Sequence, residues 1–316
     1  MSFAGAMLVA MIIDVLVGWP DALHRRIGHP VTWAGRLIAA LDQRWNDAKT
    51  PARRRRVMGV VTALILVGLA LGIGGLVQAC LPQTAMGTLI LGVLAWPLVA
   101  LRSMHGHVRA VAGPLINGDL PAARHAVSMI VGRDPARLDS AGVARAATES
   151  LAENTGDGIV APLFWGLVAG LPGIAAYKMI NTLDSMIGHL TPRYGAFGWA
   201  SARIDDVVNW IPARLTGLIF ALASGAPVRA LRCVARDARH HRSPNAGWPE
   251  AAMAGALGVR LSGPRMYGDT LSTEPWVNTG APDPTAQDLS RALALYRRAM
   301  IGVAVGLLVV WMGTGW

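Results

Sequence analysis

The sequence predicts an all-α fold, a polytopic helical integral membrane protein with cytoplasmic helical and loop regions. Only 15% of its 316 residues are charged and 53% are apolar, whereas about a quarter of the residues of a soluble domain are charged. The segment from Val57 to Ala79 is apolar throughout and long enough to cross a hydrocarbon core of about 30 Å. The arginines are grouped between such apolar stretches. Together these features favour a single membrane-embedded domain over residues 1–316.

Six apolar segments are predicted to enter the membrane. They lie near residues 3–18, 57–79, 84–101, 159–176, 207–223 and 299–315, and they leave polar regions at 102–158 and 229–298. The segment 159–176 contains Pro162, Gly170 and Pro172, which predicts a broken or re-entrant helix. The segment 207–223 contains Pro212 and Arg214. Such helices are tolerated at membrane depth where protein or a water-filled cavity covers them.

The distribution of basic residues predicts the orientation. Nine basic residues lie between Asp21 and Arg56, and the turn after Ala79 has none. By the positive-inside rule this first loop is cytoplasmic, as are the regions 102–158 and 229–298. The stretch from Lys178 to Arg203 would be external if both middle segments crossed as simple helices. We expect these helices instead to form a cavity that opens to the cytoplasm.

The net charge of +10 does not indicate a nucleic-acid-binding protein, because no aromatic platform accompanies the basic residues. Cys80 and Cys233 fit no metal-ligand spacing and no disulfide framework. The apolar N-terminal segment lacks a basic n-region and a persuasive cleavage site, so we interpret it as a retained membrane segment.

The strongest candidate site is the stretch from Ala146 to Trp165. Glu149 and Glu153 are four residues apart and share one helix face, and Asp157 follows where Gly156 and Gly158 interrupt the helix. Converging carboxylates at the end of a helix suit a divalent cation bound through oxygen. The alternative is a solvated helix end followed by a turn.

A second candidate lies on the helix predicted at Tyr177–Gly188. Its apolar stripe is Met179, Leu183, Met186, Ile187 and Leu190, and its polar side is Lys178, Asn181, Asp184 and Ser185. In a membrane a polar stripe must face a cavity or a partner, because charge facing lipid is costly. An amphipathic surface helix is the alternative.

Two further stretches carry candidate residues. If Ser201–Arg214 is helical, Asp205 and Asn209 share a face, and Asp206 is turned by about 100°. The alternative is a helix start capped by Ser201 with an acidic first turn. The loop from Arg239 to Glu250 places arginines beside a predicted helix start, which suits an anion.

These stretches resemble the CobD/CbiB family of cobalamin biosynthesis, the adenosylcobinamide-phosphate synthases, nearly end to end. The resemblance rests on Asp14 with Gly18-Trp19-Pro20, on His29-Pro30-Val31 with Gly35, on Val131-Gly132-Arg133-Asp134, and on the strings ESLAENTGDGIVAPLFW, YKMINTLDSMIGH, DDVVNWIPARL and SPNAGWPEAAMAGALGVRL. Two departures are Thr32-Trp33-Ala34 and Ser262, which stands where the resemblance leads us to expect glycine.

The resemblance implies a ligase of the bacterial inner membrane whose active site is cytoplasmic. It would join aminopropanol or its O-phosphate to the propionate of the corrinoid adenosylcobyric acid, with ATP and Mg²⁺. Other cobalamin-biosynthesis enzymes and membrane lipid are further partners. The sequence has no phosphate-binding P-loop and no dinucleotide fingerprint, so ATP would be held differently.

The residue roles that follow are hypotheses. The catalytic set is Glu149, Glu153 and Asp157. The metal set is Glu153, Asp157, Asp184, Asp205 and Asp206. The substrate-binding set is Arg133, Asn154, Lys178, Asn181, Arg214, Arg242, Ser243 and Asn245. Trp165, Trp199, Trp210 and Trp248 lie near these clusters, and we interpret most of them as an interfacial aromatic belt.

Two other classes of protein compete with a ligase. A transporter also needs broken helices and intramembrane acids, but no inverted repeat is detectable. A non-catalytic scaffold for corrinoid enzymes would use the arginine-rich regions for docking and leave the acidic clusters unexplained.

Overall fold

The computed structural model describes residues 1–132, 135–267 and 270–314, and 76% of the chain is helical. The helices are α1 Phe3–Leu16, α2 Asp21–Ile27, α3 Pro30–Trp45, α4 Ala52–Ala79, α5 Ala85–Ala95, α6 Leu101–Ile116, α7 Leu120–Ser128, α8 Ser140–Thr155, α9 Ala161–Ile187, α10 Trp199–Val208, α11 Trp210–Ala223, α12 Pro227–Asp237, α13 Gly247–Leu257 and α14 Ala286–Thr314. Shorter turns are 3-10 helices at Trp96–Leu98 and Ala238–His240 and a π-helix at Gly156–Val160. The all-α prediction is confirmed.

Four short strands accompany the helices. β1 Leu261–Ser262 pairs antiparallel with β4 Trp276–Val277, and β2 Arg265–Tyr267 pairs antiparallel with β3 Thr270–Ser272. Strands of two or three residues leave little hydrophobic alternation to recognise, so the sequence did not predict them.

Several helices have the length and apolarity to cross a membrane. Four stretches meet both conditions, namely Ala52–Ala79, Ala85–Ile116, Ser140–Ile187 and Ala286–Thr314. Two bent helix pairs raise the number to six among the described residues, Phe3–Leu16 with Asp21–Trp45 at 109° and Trp199–Val208 with Trp210–Ala223 at 47°. Exposed leucines and isoleucines along α4, such as Leu64 and Ile73, are what a lipid-facing surface requires. The prediction of several helices able to span a membrane is therefore confirmed.

The chain forms two compact units. Unit 1 comprises residues 1–100, 161–209 and 307–316, and unit 2 comprises residues 101–160 and 210–306. The core of unit 1 lies where α3, α4, α9 and α10 meet, around Ile38, Leu66, Leu183, Ile187 and Phe197. The apolar stripe predicted on α9 packs on this core, except Leu190, which lies beyond the helix end and is 94% exposed.

Helix α9 is sharply kinked at Gly170. This glycine has φ 66° and ψ −143°, outside the helical region. A Cβ placed on Gly173 would overlap the carbonyl group of Trp165, although a continuous helix would keep residues eight apart about 12 Å from each other. The Leu171 N–H after the break donates to Gln78 Oε1 at 2.7 Å. The predicted break in the segment 159–176 is therefore a sharp kink, and the N–H that it exposes is bound by a side chain of α4.

A buried polar network joins the segment after α9 to the arginine-rich segment of unit 1 that contains Arg55. Asp42 Oδ2 accepts a hydrogen bond from Arg193 Nη2 at 2.6 Å, and Asp42 Oδ1 accepts from Asn46 at 2.7 Å. Arg55 donates to Asn46 Oδ1 at 2.7 Å and to the carbonyl of Arg193. The side chain of Asp42 is only 7% exposed, so its charge depends on these donors. The segment around Arg193 therefore lies on the face of unit 1 that carries Asn46 and Arg55.

Small residues let the helices of unit 1 approach closely. A Cβ on Gly59 of α4 would overlap the carbonyl group of Phe197, whereas a Cβ on Gly68 of the same helix would meet nothing within 4 Å. Gly59 is thus required by packing, and Gly68 is not.

We predict opposite effects for alanine at these two positions. Gly59→Ala must displace the Phe197 backbone and should destabilise the protein by about 1–3 kcal/mol. Gly68→Ala should be neutral or stabilising by up to about 1 kcal/mol, because alanine is the better helix former. Thermal unfolding of both variants in the same detergent measures the difference. Equal unfolding midpoints would show that Gly59 of α4 does not pack against the Phe197 backbone.

Candidate functional site

The acids of α8 and the following π-helix belong to unit 2 and have different surroundings. Glu149 is 5% exposed, and its Oε1 accepts a hydrogen bond from the Ser262 N–H at 2.7 Å. Glu153 is exposed and Asp157 is half-buried. Asp157 lies in the π-helical turn Gly156–Val160, and single π-turns often occur at functional sites. Glu149 thus anchors β1, while Glu153 and Asp157 are the acids of this stretch that remain accessible.

Ser262 has φ 61° and is 3% exposed. This is the left-handed backbone region that glycine adopts at little cost. The departure noted in the sequence therefore falls where a glycine would be less strained. The hydrogen bond from the Ser262 N–H to Glu149 helps to hold this backbone conformation.

The second acidic group belongs to unit 1. Asp184 of α9 and Asp206 of α10 interact electrostatically, and Asp206 forms an ion pair with Arg203 at 3.1 Å. Asp205 Oδ2 instead accepts a hydrogen bond from Asn209 Nδ2 at 2.9 Å. Asp205 and Asp206 thus have different hydrogen-bond and ion-pair partners, as expected from their divergence on the helix, and Asp206 interacts electrostatically with Asp184.

A buried tyrosine orients the other acid of α10. Tyr177 Oη donates to Asn209 Oδ1 at 2.9 Å, so Asn209 links Tyr177 to Asp205. Helix α10 begins at Trp199, two residues before Ser201, and Asn209 is its C-cap. Asn209 therefore holds the Asp205 carboxylate at the break between α10 and α11. This positioning role was not predicted from the sequence.

Glycine makes room for the carboxylate of Asp184. A Cβ on Gly188 would overlap Asp184 Oδ1. Lys178 and Asn181 are half-buried on the same helix as Asp184. The polar stripe predicted on α9 is therefore present in unit 1, and Gly188 is an additional residue on which the position of Asp184 depends.

A divalent cation, which the resemblance implies, would need oxygen ligands from the acidic side chains. Among residues 1–132, 135–267 and 270–314, no group of three or more His, Cys, Asp or Glu side chains could hold a metal ion. The pair Asp184 and Asp206 supplies hard oxygen donors. Mg²⁺ commonly uses one or two carboxylates and completes its shell with water and substrate phosphates. The pair thus fits Mg²⁺ carried with a phosphorylated substrate and does not form an all-protein cage.

The loop before α13 is held by its own side chains. His241 Nδ1 accepts the Ser243 N–H at 3.0 Å, which leaves the proton of a neutral ring on Nε2, 3.5 Å from Glu250. Ser243 Oγ accepts the N–H groups of Asn245 and Ala246 at 3.2 and 3.1 Å. The structure therefore brings Ser243 and Asn245 together. Their contacts order the loop, and their predicted substrate role stays a prediction.

The remaining predicted basic residues have aromatic or acidic neighbours. Arg214 lies between the rings of Trp210 and Trp248, with its guanidinium carbon 4.0 and 4.3 Å from their centroids. Arg242 is 3.6 Å from Glu274.

Arg133 lies outside the described residues. Asn154, which is exposed, donates from Nδ2 to the carbonyl of Ser150 at 2.9 Å.

Two acids that the sequence did not single out hold unit 2 together. Asp283 binds Arg260 at 2.6 Å and Arg145 at 3.2 Å, and both guanidinium groups stack on Trp276. The hydrogen bonds from Arg260 hold the pKa of the Asp283 carboxyl below its ordinary value, and the charge of Arg145 adds to this.

The other acid is Asp237, which accepts hydrogen bonds from Arg236 and from the Asn278 N–H at 2.7 Å. Burial alone would raise the pKa of Asp237, but hydrogen bonds from Arg236 and the Asn278 backbone outweigh it and hold the pKa below its ordinary value. Burial and the neighbouring Asp237 raise the pKa of the Cys233 thiol to about 12. Cys233 is therefore an inert structural thiol.

Comparison with known proteins identifies the family. The family model described as CobD/Cbib protein matches residues 7–296. The chain belongs to the CobD/CbiB family. Every predicted site residue lies within the matched range. No solved structure matches the chain.

Relatives in this family match over nearly their whole length. A cobalamin biosynthesis protein CobD of Rhodobacter capsulatus is 67% identical over 312 residues, covering 98% of each chain. Proteins of the same name from Brucella suis and a Sinorhizobium species are 47% and 46% identical. These alignments cover 95% of this chain and 94% of the Brucella protein, and 96% of this chain and 97% of the Sinorhizobium protein. The predicted family is confirmed.

The depressed pKa of Asp237 leads to a prediction about acid stability. A carboxyl whose pKa is lower in the folded state stabilises the protein above its unfolded pKa of about 3.9 and loses this contribution as pH falls. Asp237→Asn should cost roughly 2 kcal/mol at neutral pH through weakened charge-assisted hydrogen bonds. The difference from wild type should shrink below about pH 4. Unfolding midpoints between neutral and acid pH measure this, with Asp47→Asn, at an exposed carboxylate, as the control for net charge. A difference independent of pH would contradict the prediction.

Proposed function

We propose that this CobD/CbiB protein is an ATP-dependent amide ligase of cobalamin biosynthesis. It joins aminopropanol or aminopropanol O-phosphate to the propionate of adenosylcobyric acid and yields cobinamide or cobinamide phosphate. The observation that carries the proposal is the electrostatic interaction between the carboxylates of Asp184 and Asp206, on helices of a family whose members are named for cobalamin biosynthesis.

The chemistry of the reaction explains why such groups are useful. A carboxylate does not expel oxide, so the propionate must first be activated, most simply by accepting the terminal phosphoryl group of ATP. Attack of the amine on the acyl phosphate then forms the amide bond and releases phosphate. Phosphoryl transfer requires positioning and neutralisation of charge more than a covalent protein nucleophile. Bound Mg²⁺ would supply part of that neutralisation.

Each group of residues has a role in this proposal. Asp184 and Asp206 hold the cation, and Asn209 keeps the nearby Asp205 oriented. Glu153 and Asp157 accept the proton that the attacking ammonium group must lose. The positive side chains neutralise phosphates, and the amides and hydroxyl orient substrate. The positive side chains are those of Arg133, Lys178, Arg214 and Arg242. The amides and the hydroxyl belong to Asn154, Asn181, Ser243 and Asn245.

The location proposed for the reaction is the cytoplasmic side of the bacterial inner membrane. The hydrogen bonds from Arg55 to the backbone carbonyl of Arg193 support this, because they tie the segment after α9 to a segment that the positive-inside rule assigns to the cytoplasm. Adenosylcobyric acid and the amine would then enter from the aqueous side.

We predict that the purified protein forms an amide product without an ion gradient. Detergent-solubilised protein is incubated with adenosylcobyric acid, ATP and Mg²⁺, with aminopropanol and its O-phosphate in parallel, and products are detected by mass spectrometry. Product with one amine identifies the donor. A folded protein that gives no product with either amine would contradict the ligase and favour a transporter or a scaffold.

Substitution of two carboxylates tests the proposed site. Glu153→Gln and Asp184→Asn should each lower kcat by about 100-fold or more, because each removes a negative charge used in proton transfer or cation binding. Asp139→Asn in unit 2 is the matched control, since Asp139 caps α8 and asparagine caps equally well. Wild-type turnover by both variants would show that neither acid has the role proposed for it.

A further inference from the structure

Two buried indole N–H groups in unit 1 have no hydrogen-bond acceptor within the described residues. They belong to Trp19 and to Trp96. The two rings adjoin each other with centroids 5.3 Å apart, and the ring of His29 lies 4.9 Å from that of Trp19. A buried donor left unpaired loses its hydration without compensation, and buried tryptophans usually find a partner. The ring contacts therefore explain the packing of these tryptophans and leave their N–H groups unexplained.

Basic groups interact with His29, whose ring contacts that of Trp19. His29 Nδ1 accepts the Val31 N–H at 3.2 Å as the N-cap of α3, so a neutral His29 ring carries its proton on Nε2. Lys178 and His24, both of which are bases, interact electrostatically with His29. N–H donors and positive charge together select an oxyanion.

Helix α2 joins Trp19 to His29 along the chain. It contains no buried residue and is flanked by Gly18 and Gly28, whose φ angles of 64° and 74° are natural for glycine. The contact between the rings of Trp19 and His29 brings the two ends of this segment together. Few buried contacts and glycine at both ends are features of a segment that opens easily. Its exposed Arg25 and Arg26 add positive charge to the outer side.

We propose that Trp19, Trp96 and His29, together with Lys178, bind the phosphoryl group of a small substrate. The inference rests on the proposed function, in which aminopropanol O-phosphate and ATP both bring such a group. The motifs Gly18-Trp19-Pro20 and His29-Pro30-Val31 near the N-terminus then belong to the substrate site. Trp19 and Trp96 serve as neutral donors, and Lys178 supplies charge.

The test uses tryptophan-to-phenylalanine substitutions, which keep an aromatic ring and remove the N–H. Trp19→Phe and Trp96→Phe should leave the unfolding midpoint of the ligand-free protein unchanged or raised, because they remove an unpaired buried donor. The same variants should weaken binding of ATP or of aminopropanol O-phosphate by about tenfold, the effect of one hydrogen bond to a charged group. Isothermal titration calorimetry with each compound in lipid-free detergent measures the affinities.

Trp165→Phe is the matched control in the same unit. Its indole N–H donates to the carbonyl of Val208 at 3.1 Å, so this variant should lower the unfolding midpoint and keep both affinities. Trp19 and Trp96 variants that bind both compounds as wild type does would overturn the proposal. A lowered midpoint with unchanged affinities would show a purely structural role.

Direct binding separates this inference from the ligase itself. Weakened binding in the Trp19 or Trp96 variants would support the phosphoryl site even if no amide product were ever detected. If neither compound binds, but phosphatidylglycerol nanodiscs stabilise wild type and not Trp96→Phe, the cluster holds a lipid phosphate and its assignment to a substrate is wrong.

Discussion

Polar groups removed from water must find partners inside the protein, and this requirement shapes each unit. In a hydrocarbon surrounding, an unpaired backbone group costs several kcal/mol. The break at Gly170 is therefore accompanied by Gln78, whose side chain accepts the Leu171 N–H. The carboxylate of Asp42 is likewise surrounded by donors from Asn46 and Arg193.

The same requirement explains why several polar residues support the backbone. Glu149 accepts the N–H of Ser262, and Asp237 accepts that of Asn278. Both backbone positions have positive φ angles, where a non-glycine residue needs help from its surroundings. An acid in an apolar chain can thus hold an unusual turn as readily as it can perform chemistry. Sequence spacing does not separate the two roles.

The candidate cation site has few protein ligands within the described residues. Asp184 and Asp206 supply two carboxylates, and no cluster of three metal-binding side chains occurs in the described parts of the chain. A cation that shares its shell with substrate phosphates suits this arrangement. The two unpaired indole donors follow the same logic, because an oxyanion would supply the acceptor that they lack.

The sequence by itself determined the fold class, the break near Gly170, the apolar stripe of α9 and the family. These properties depend on composition, on helical period and on ordered local strings. Only the tertiary structure decided that the break in α9 is a sharp kink, that Asp206 interacts electrostatically with Asp184, and that Glu149 accepts the Ser262 N–H. It also decided the roles of Gln78, Gly188 and Asn209. The helical period places Asn209 beside Asp205, but its contact with Tyr177 and that of Gln78 with Leu171 join residues distant in sequence. The space that Gly188 leaves for Asp184 depends on side-chain direction at the end of α9. Neither property is encoded in a local periodic pattern.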